Sequence, residues 1–224
     1  MTALPTAFDV EQARFNMIEQ QIRPWDVLDA GVLSLLAMVK REDFVPAAYR
    51  ALAFVDTEVP LPEGQCMLAP RVEARMLQEA QVQRHERVLE IGAGSGFMAA
   101  LLGHRAQSVV TMESRPALAR MARENLRRAL SSNVVVREGD GALGLPGEAP
   151  FDAIVLSGSV SSVPQVLLDQ LRPGGRLLAI VGQEPVMRAV RITRQPQGGY
   201  TTVELFDTVA PALDGFAPPT RFTF

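Results

Sequence analysis

Apolar and polar positions along the chain follow two alternating periods. Across 9–21 and 27–39 apolar residues recur at helical spacing, with Phe15, Ile18 and Ile22 on one side of the first stretch and Val32, Leu35, Leu36 and Val39 on one side of the second. Arg23-Pro24-Trp25-Asp26 breaks the two apart. A third helical stretch, Arg71 to Ala80, leads into Arg87–Ile91, a run too short for a helix that reads as a buried strand. The spacing then predicts a helix over 97–104, a strand over 108–112, a helix over 116–130, and strands over 133–137 and 151–157. A helix over 163–171 follows, and Arg172-Pro173-Gly174-Gly175 turns into a strand over 176–181. Residues 188–193 and 201–209, joined by Gln195-Pro196-Gln197-Gly198-Gly199, predict a terminal hairpin whose order in the sheet is not readable. Strand and helix in alternation imply βαβ units, right-handed crossovers and a parallel sheet covered on both faces.

The first strand ends in Glu90-Ile91-Gly92-Ala93-Gly94-Ser95-Gly96. Glycines at alternate positions permit a tight turn and let main-chain N–H groups approach a small ligand closely. The dinucleotide fingerprint G-x-G-x-x-G would need glycine at position 97, where the chain has Phe97. The spacing E-x-G-x-G-x-G instead resembles motif I of S-adenosylmethionine-dependent methyltransferases, whose loop holds the amino-acid end of the cofactor. Glu113 lies at the end of the next strand, where one carboxylate can accept hydrogen bonds from both hydroxyls of a ribose. It could equally serve as an N-terminal charge on the following helix. Asp140 sits at a third strand end, and in the methyltransferase plan that acid accepts from the adenine amino group while Gly141 and Ala142 leave room for the ring. Three acids, Glu90, Glu113 and Asp140, thus fall at the carboxyl ends of successive predicted strands, where open α/β sheets bind ligands. The cofactor-binding set is Glu90, Gly92, Ala93, Gly94, Gly96, Glu113, Asp140, Gly141 and Ala142.

Composition narrows the class. A chain of 224 residues, 47% apolar and 21% charged, suits one compact α/β unit. Residues 1–86 are expected to form an N-terminal helical extension within the same unit, which the methyltransferase resemblance implies is an acceptor-site cover, and 87–224 the cofactor-binding core. A net charge of −3 argues against extended nucleic-acid binding, and Arg120, Arg123, Arg127 and Arg128 read as the solvated face of one helix. The lone Cys66 excludes an internal disulfide and a cysteine-rich metal site, and no metal is expected. No membrane-length apolar run or signal-like start is present, so the cytoplasm is the expected location.

A more particular likeness lies outside the glycine motif. Met17-Ile18-Glu19-Gln20-Gln21-Ile22, Val39 to Pro46, Val59-Pro60-Leu61-Pro62 and Gly64-Gln65 look like the N-terminal region of protein-L-isoaspartate O-methyltransferases. The likeness continues through Glu90 to Gly96, Gly139-Asp140-Gly141, Ala149 to Asp152 and Gly174 to Leu177, covering about Arg14 to Arg194. It implies a Rossmann-like methyltransferase fold, a doubly wound, mostly parallel sheet of seven strands, with S-adenosyl-L-methionine as cofactor and a carboxylate on a protein or peptide as acceptor. One departure concerns the acceptor. The family's active-site serine falls on Leu68 and its preceding threonine on Cys66, so two hydroxyls become apolar or weakly polar groups. Cys66, Leu68, Ser157 and Ser159 are the acceptor-side candidates, and no catalytic group is assigned.

Loss of the serine does not forbid methyl transfer. Displacement at sulfonium expels a neutral thioether, so alignment carries much of the acceleration. A carboxylate acceptor with a pKa near ~4 is already ionised and needs no base. An amine or hydroxyl would often need one; His85 and His104 both fall at the amino-terminal edge of the sheet, opposite the cofactor, and a carboxylate or a tyrosine is the base left open, with no motif that recommends Tyr49 or Tyr200. Two other readings remain open: the same fold with a different protein or small-molecule acceptor, and a catalytically inactive cofactor-binding interaction protein. Oligomeric state is not readable, and 211–224 is expected to form an irregular strap.

Overall fold

The computed structural model describes residues 9–216. The first helix, α1 (Val10–Met17), starts where Asp9 accepts from Gln12 N–H at 3.1 Å; it runs on through a widened turn, Ile18–Ile22, and a tight one, Arg23–Trp25. Asp29 caps α2 (Ala30–Met38) in the same way, accepting from Val32 N–H at 2.8 Å. Val32, Leu35, Leu36 and Val39 are buried as their spacing predicts, and so are Ile18 and Ile22. Phe15 departs from expectation: it is 58% exposed, because the widened turn after Met17 rotates its neighbours into the core without it.

A two-stranded ribbon follows, β1 (Val59–Pro60) against β2 (Cys66–Met67), closed by the turn Pro62–Gly64. Then come α3 (Pro70–Ala80), β3 (Arg87–Ile91), α4 (Phe97–Arg105), β4 (Ser108–Glu113), α5 (Pro116–Arg128), β5 (Val134–Glu138) and β6 (Phe151–Val160). Proline at the first position of α3 and α5 needs no hydrogen-bonded N–H and presets the helical backbone. The described chain closes with α6 (Gln165–Leu168), β7 (Leu171–Gln183), β8 (Val186–Arg194) and β9 (Tyr200–Asp207).

The main sheet has the order β5-β4-β3-β6-β7-β8-β9 among the described residues, parallel from β5 to β7 and antiparallel at β8 and β9. The doubly wound, mostly parallel, seven-stranded expectation holds, and the terminal hairpin extends the β7 edge. Alternate residues of one strand serve opposite faces. Val88 belongs to the core shared with the N-terminal helices, α3, α4 and α5, whereas Leu89 and Ile91 join Met112, Ile154, Leu156 and Leu167 beneath α6. The first core runs without interruption from Met17 to Ala210, so the extension is packed against the sheet.

Three predicted elements differ. The helix expected over 163–171 shrinks to α6, because Pro164 starts it and Gln170 turns back to accept from Leu145 N–H and donate to Leu143 O. β7 begins at Leu171, with the Pro173-Gly174-Gly175 segment absorbed as an irregularity opposite Phe151 to Ala153. β6 runs three residues past Ser157, which moves Ser159 inside the sheet.

Candidate functional site

Strand order reverses between β3 and β6: successive connections step from β3 through β4 to β5, and the chain then returns to lay β6 on the other side of β3. Ligands bind at such a reversal, outside the carboxyl ends of the strands, because neighbouring connections diverge there and leave a crevice. In this chain the crevice is a cleft of about 490 Å³ including its mouth, lined by Ile91, Gly92, Gly94, Met112, Glu113, Gly141, Ser157, Gln65 and Cys66 among others.

The glycine bend forms its floor. Gly92 and Ala93 N–H donate to Met112 O at 2.9 and 3.1 Å, tying the end of β3 to the end of β4. Gly92, Gly94 and Gly96 all have positive φ, which side chains strain against, and a Cβ at Gly96 would press on the backbone of Ala122. Glu113 is buried and bridges the same two elements: it accepts from Gly94 N–H at 2.8 Å and from Arg115 N–H at 3.0 Å.

Glu90 is 0% exposed. It accepts from the Ser157 hydroxyl at 2.7 Å, and its Oε2 is buried without a hydrogen-bond partner. Burial pushes its carboxyl up to about 8, Glu73 and Glu113 push in the same direction, and the Thr111 and Ser157 hydroxyls oppose it. Glu90 lines a narrow inner recess, about 320 Å³ only when the open space at its mouth is counted, with Gly92 to Ser95, Phe97, Ser157, Glu73 and the segment Cys66 to Leu68. An orphaned buried carboxylate oxygen beside a glycine cradle fits a ligand that carries a positive charge and approaches the main chain closely. The residues present therefore fit S-adenosylmethionine.

Asp140 stands at the rim. Its Oδ1 accepts from Ala142 N–H at 2.9 Å, and Gly141 is packed against Ile91 so tightly that a Cβ would collide with it. The segment Pro211 to Phe216 crosses this end of the cleft. Gly215 lies on the Asp140 carboxylate, and Leu213 Cδ2 would meet a Cβ on Gly92 at 2.7 Å. Asp214 pairs with Arg115 at 2.8 Å, and Arg115 also donates to Glu63 O at 3.1 Å in the ribbon turn. The strap expected over 211–224 is thus present through Phe216, and the rest lies outside the described residues.

The acceptor-side candidates separate. Cys66 and Leu68 reach the inner recess with Ser157, Leu68 being 6% exposed. Burial, with Glu58 and Glu73 adding to it, pushes the Cys66 thiol up to about 12, so it is protonated and packs as a small weakly polar group. Ser159 faces elsewhere. Its hydroxyl donates to Ala210 O at 2.8 Å, and its backbone pairs with Pro211 and Leu213, so it anchors the strap. His85 and His104 line a groove at the far end of the sheet. Trp25 packs edge-on against Phe206, and Phe97 against Phe44. Among the described residues no cluster could hold a metal ion, and no helix is long and apolar enough to cross a membrane. Arg115, Asp214, Leu213 and Glu73 are at the site without any sequence signal; only folding brings 63, 115 and 214 together.

Comparison with known proteins agrees with this geometry. The family model for protein-L-isoaspartate(D-aspartate) O-methyltransferase matches residues 12–209. A protein-L-isoaspartate O-methyltransferase of Methanoculleus marisnigri is 41% identical over 86% of this chain and 87% of its own length, and one of Koribacter versatilis is 39% identical over 92% and 93%. In fold, the chain superposes on a Plasmodium falciparum beta-aspartate methyltransferase crystallised with S-adenosyl-L-homocysteine, with a TM-score of 0.75 and 20% identity, over 93% of this chain and 99% of that one. By sequence match along nearly its whole length and by the architecture that carries the cleft, the chain belongs to the protein-L-isoaspartate O-methyltransferase family.

Proposed function

We propose that this chain transfers the methyl group of S-adenosylmethionine to a free carboxylate on a protein or peptide, the L-isoaspartyl carboxylate being the acceptor. One observation carries the reading: Gly94 N–H bonded to Glu113 at 2.8 Å ties the glycine bend to a second strand-end acid, and Gly92, Gly94 and Ser157 are common to the cleft that Glu113 lines and the recess that Glu90 lines. When bound, the cofactor supplies a methyl group on a cationic sulfur that leaves as a neutral thioether.

The residues of the chain do the rest. Glu113 holds the ribose, with Gly141, Ala142 and Asp140 at the adenine, and the glycine bend lies with Glu90 around the methionine end. Glu90, kept in one rotamer by Ser157, offers its free oxygen to the cationic end. Met67 and Leu68, both buried, exclude water from the recess and restrict how an acceptor enters. Neither Cys66, which keeps its proton, nor the two histidines, which lie at the opposite edge, serves the recess as a base. A carboxylate acceptor needs none.

Leu68 favours a second reading, in which a different carboxylate uses the same cofactor core. Transfer of labelled methyl to an isoaspartyl peptide, with the matching aspartyl peptide as control and Leu68→Ser run beside the wild type, separates the two. Labelling of the isoaspartyl peptide alone by wild type is expected. An inert wild type whose Leu68→Ser variant turns over would defeat the repair reading for the natural chain, and calorimetry with S-adenosylmethionine would show whether an inert wild type still binds cofactor.

A further inference from the structure

Glu73 has no role so far. It lies one turn into α3, is 5% exposed, and lines the inner recess with Glu90, Ser157 and Leu68. A carboxyl group at that depth loses its hydration, which one hydrogen bond does not restore. Part of the compensation is Arg41, itself buried, which donates through Nη1 to Glu73 Oε2. The same guanidinium donates through Nη2 to Leu68 O at 2.8 Å and lies 5.1 Å over the Phe97 ring, so it fixes Glu73 relative to the acceptor segment and the start of α4. That pairing uses one oxygen. The structure gives Oε1 no hydrogen-bond partner among the described residues, on a side chain that lines the recess.

We propose that Glu73 is an acceptor-recognition residue: its free carboxyl oxygen, held over the recess by Arg41, hydrogen-bonds the carboxylate that receives the methyl group, on the wall where Leu68 offers no polar contact. The proposal rests on the carboxylate transfer put forward above. Two carboxyl groups hydrogen-bond only when they share a proton, so Glu73 must be the protonated partner. Its burial, opposed by Arg41, pushes its carboxyl up to about 7, which permits this at neutral pH. The groups facing it are Arg41 from the Arg41–Asp43 turn, Glu90 from β3 with Glu113 of β4 behind it, and Cys66 from β2 with Glu58 beside it. Of these, Glu90 at about 8 shares its titration range, and Cys66 at about 12 does not.

Steady-state kinetics on an isoaspartyl peptide at saturating S-adenosylmethionine, from about pH 6 to 8.5, tests this in wild type, Glu73→Gln and Glu73→Leu, with the Kd for S-adenosylhomocysteine measured alongside. The wild-type acceptor KM rises about fivefold or more as Glu73 ionises. Glu73→Gln, with its amide oxygen toward Arg41 and its NH2 toward the recess, flattens that rise to within about twofold. Glu73→Leu raises the acceptor KM about tenfold or more throughout, and the Kd stays within about twofold; should it fail to fold, Glu73→Gln decides alone. A Glu73→Gln profile that tracks wild type overturns the proposal, as does a loss of S-adenosylhomocysteine affinity with the acceptor KM intact. A wild type inert at every pH defeats the isoaspartyl reading itself, which is a different outcome from an active enzyme indifferent to residue 73.

Discussion

The Ser157 hydroxyl donates to Glu90 Oε1 at 2.7 Å across the point where the sheet reverses its order. β3 and β6 are neighbours there, with Glu90 paired to Val155 and Ile91 to Leu156, so Ser157 is the first β6 residue beyond the ladder. A buried acid that accepts one hydrogen bond and leaves its other oxygen free is held in place and still able to bind.

Ser157→Ala removes that donor. Leaving a buried acceptor without its partner costs ~1–3 kcal/mol, and urea unfolding of the unliganded variant at pH above 8, where Glu90 is ionised, is expected to show a loss in that range. The Glu90 carboxyl rises further, since one of the interactions that hold it down is gone.

Glu90 also makes stability and cofactor affinity respond to pH in opposite senses. Its folded-state pKa, near 8, lies above the ordinary 4.5. The unfolded chain therefore gives up this proton first, and the contribution to stability is complete below about 4.5, declines as pH rises and is gone above about 8. Denaturation midpoints of the unliganded protein should fall between pH 5 and 8, and Glu73, at about 7, adds to that slope. A cationic ligand prefers the ionised acid, so S-adenosylmethionine should bind more tightly as pH rises through 8 and release protons on binding. Calorimetry in buffers of different ionisation enthalpy measures the release, and Glu90→Gln should abolish it.

Glu113→Ala removes the side-chain link between the glycine bend and β4, leaving the main-chain bonds of Gly92 and Ala93 to Met112. Both carboxylate oxygens are in use, one on Gly94 N–H and one on Arg115 N–H. S-adenosylmethionine and S-adenosylhomocysteine share the ribose, so both should lose about tenfold or more in affinity, equivalent to ~1.4 kcal/mol, and in equal measure. A loss confined to one of them would contradict the ribose assignment.

Gly215→Ala tests the strap. Gly215 has φ +83 and rests on the Asp140 carboxylate, so a methyl group there is strained in backbone and blocked in space. The left-handed conformation alone costs about 1–2 kcal/mol for an alanine. The strap should loosen, which faster limited proteolysis near residues 211–216 would register, and the Asp140 carboxylate should become more exposed.

Most of the sheet edge that lines the cleft is legible in the chain. Arg87–Ile91 is apolar and short, its glycines alternate, and an acid closes each of the next strands, so period and spacing alone placed Glu90, Gly94 and Glu113 at one sheet edge. Phe15 was misjudged because helical spacing assumes 3.6 residues per turn, and the wide turn at Ile18–Ile22 breaks that count. A β6 ending at Ser157 puts Ser159 on the acceptor wall; pairing with β7 and the bridge to Ala212 instead carry the strand past it.

The sequence by itself determined the order of elements, the cofactor class and the family, because these depend on local periodicity and on motifs within a few residues. The tertiary structure decided what meets across the cleft: Ser157 on Glu90, Arg41 on Glu73 and Leu68, and Arg115 between Glu63 and Asp214. These partners lie up to about a hundred residues apart, and no local pattern encodes such a pairing; it exists only once β6 has returned beside β3 and burial has left each charge to find its counterpart.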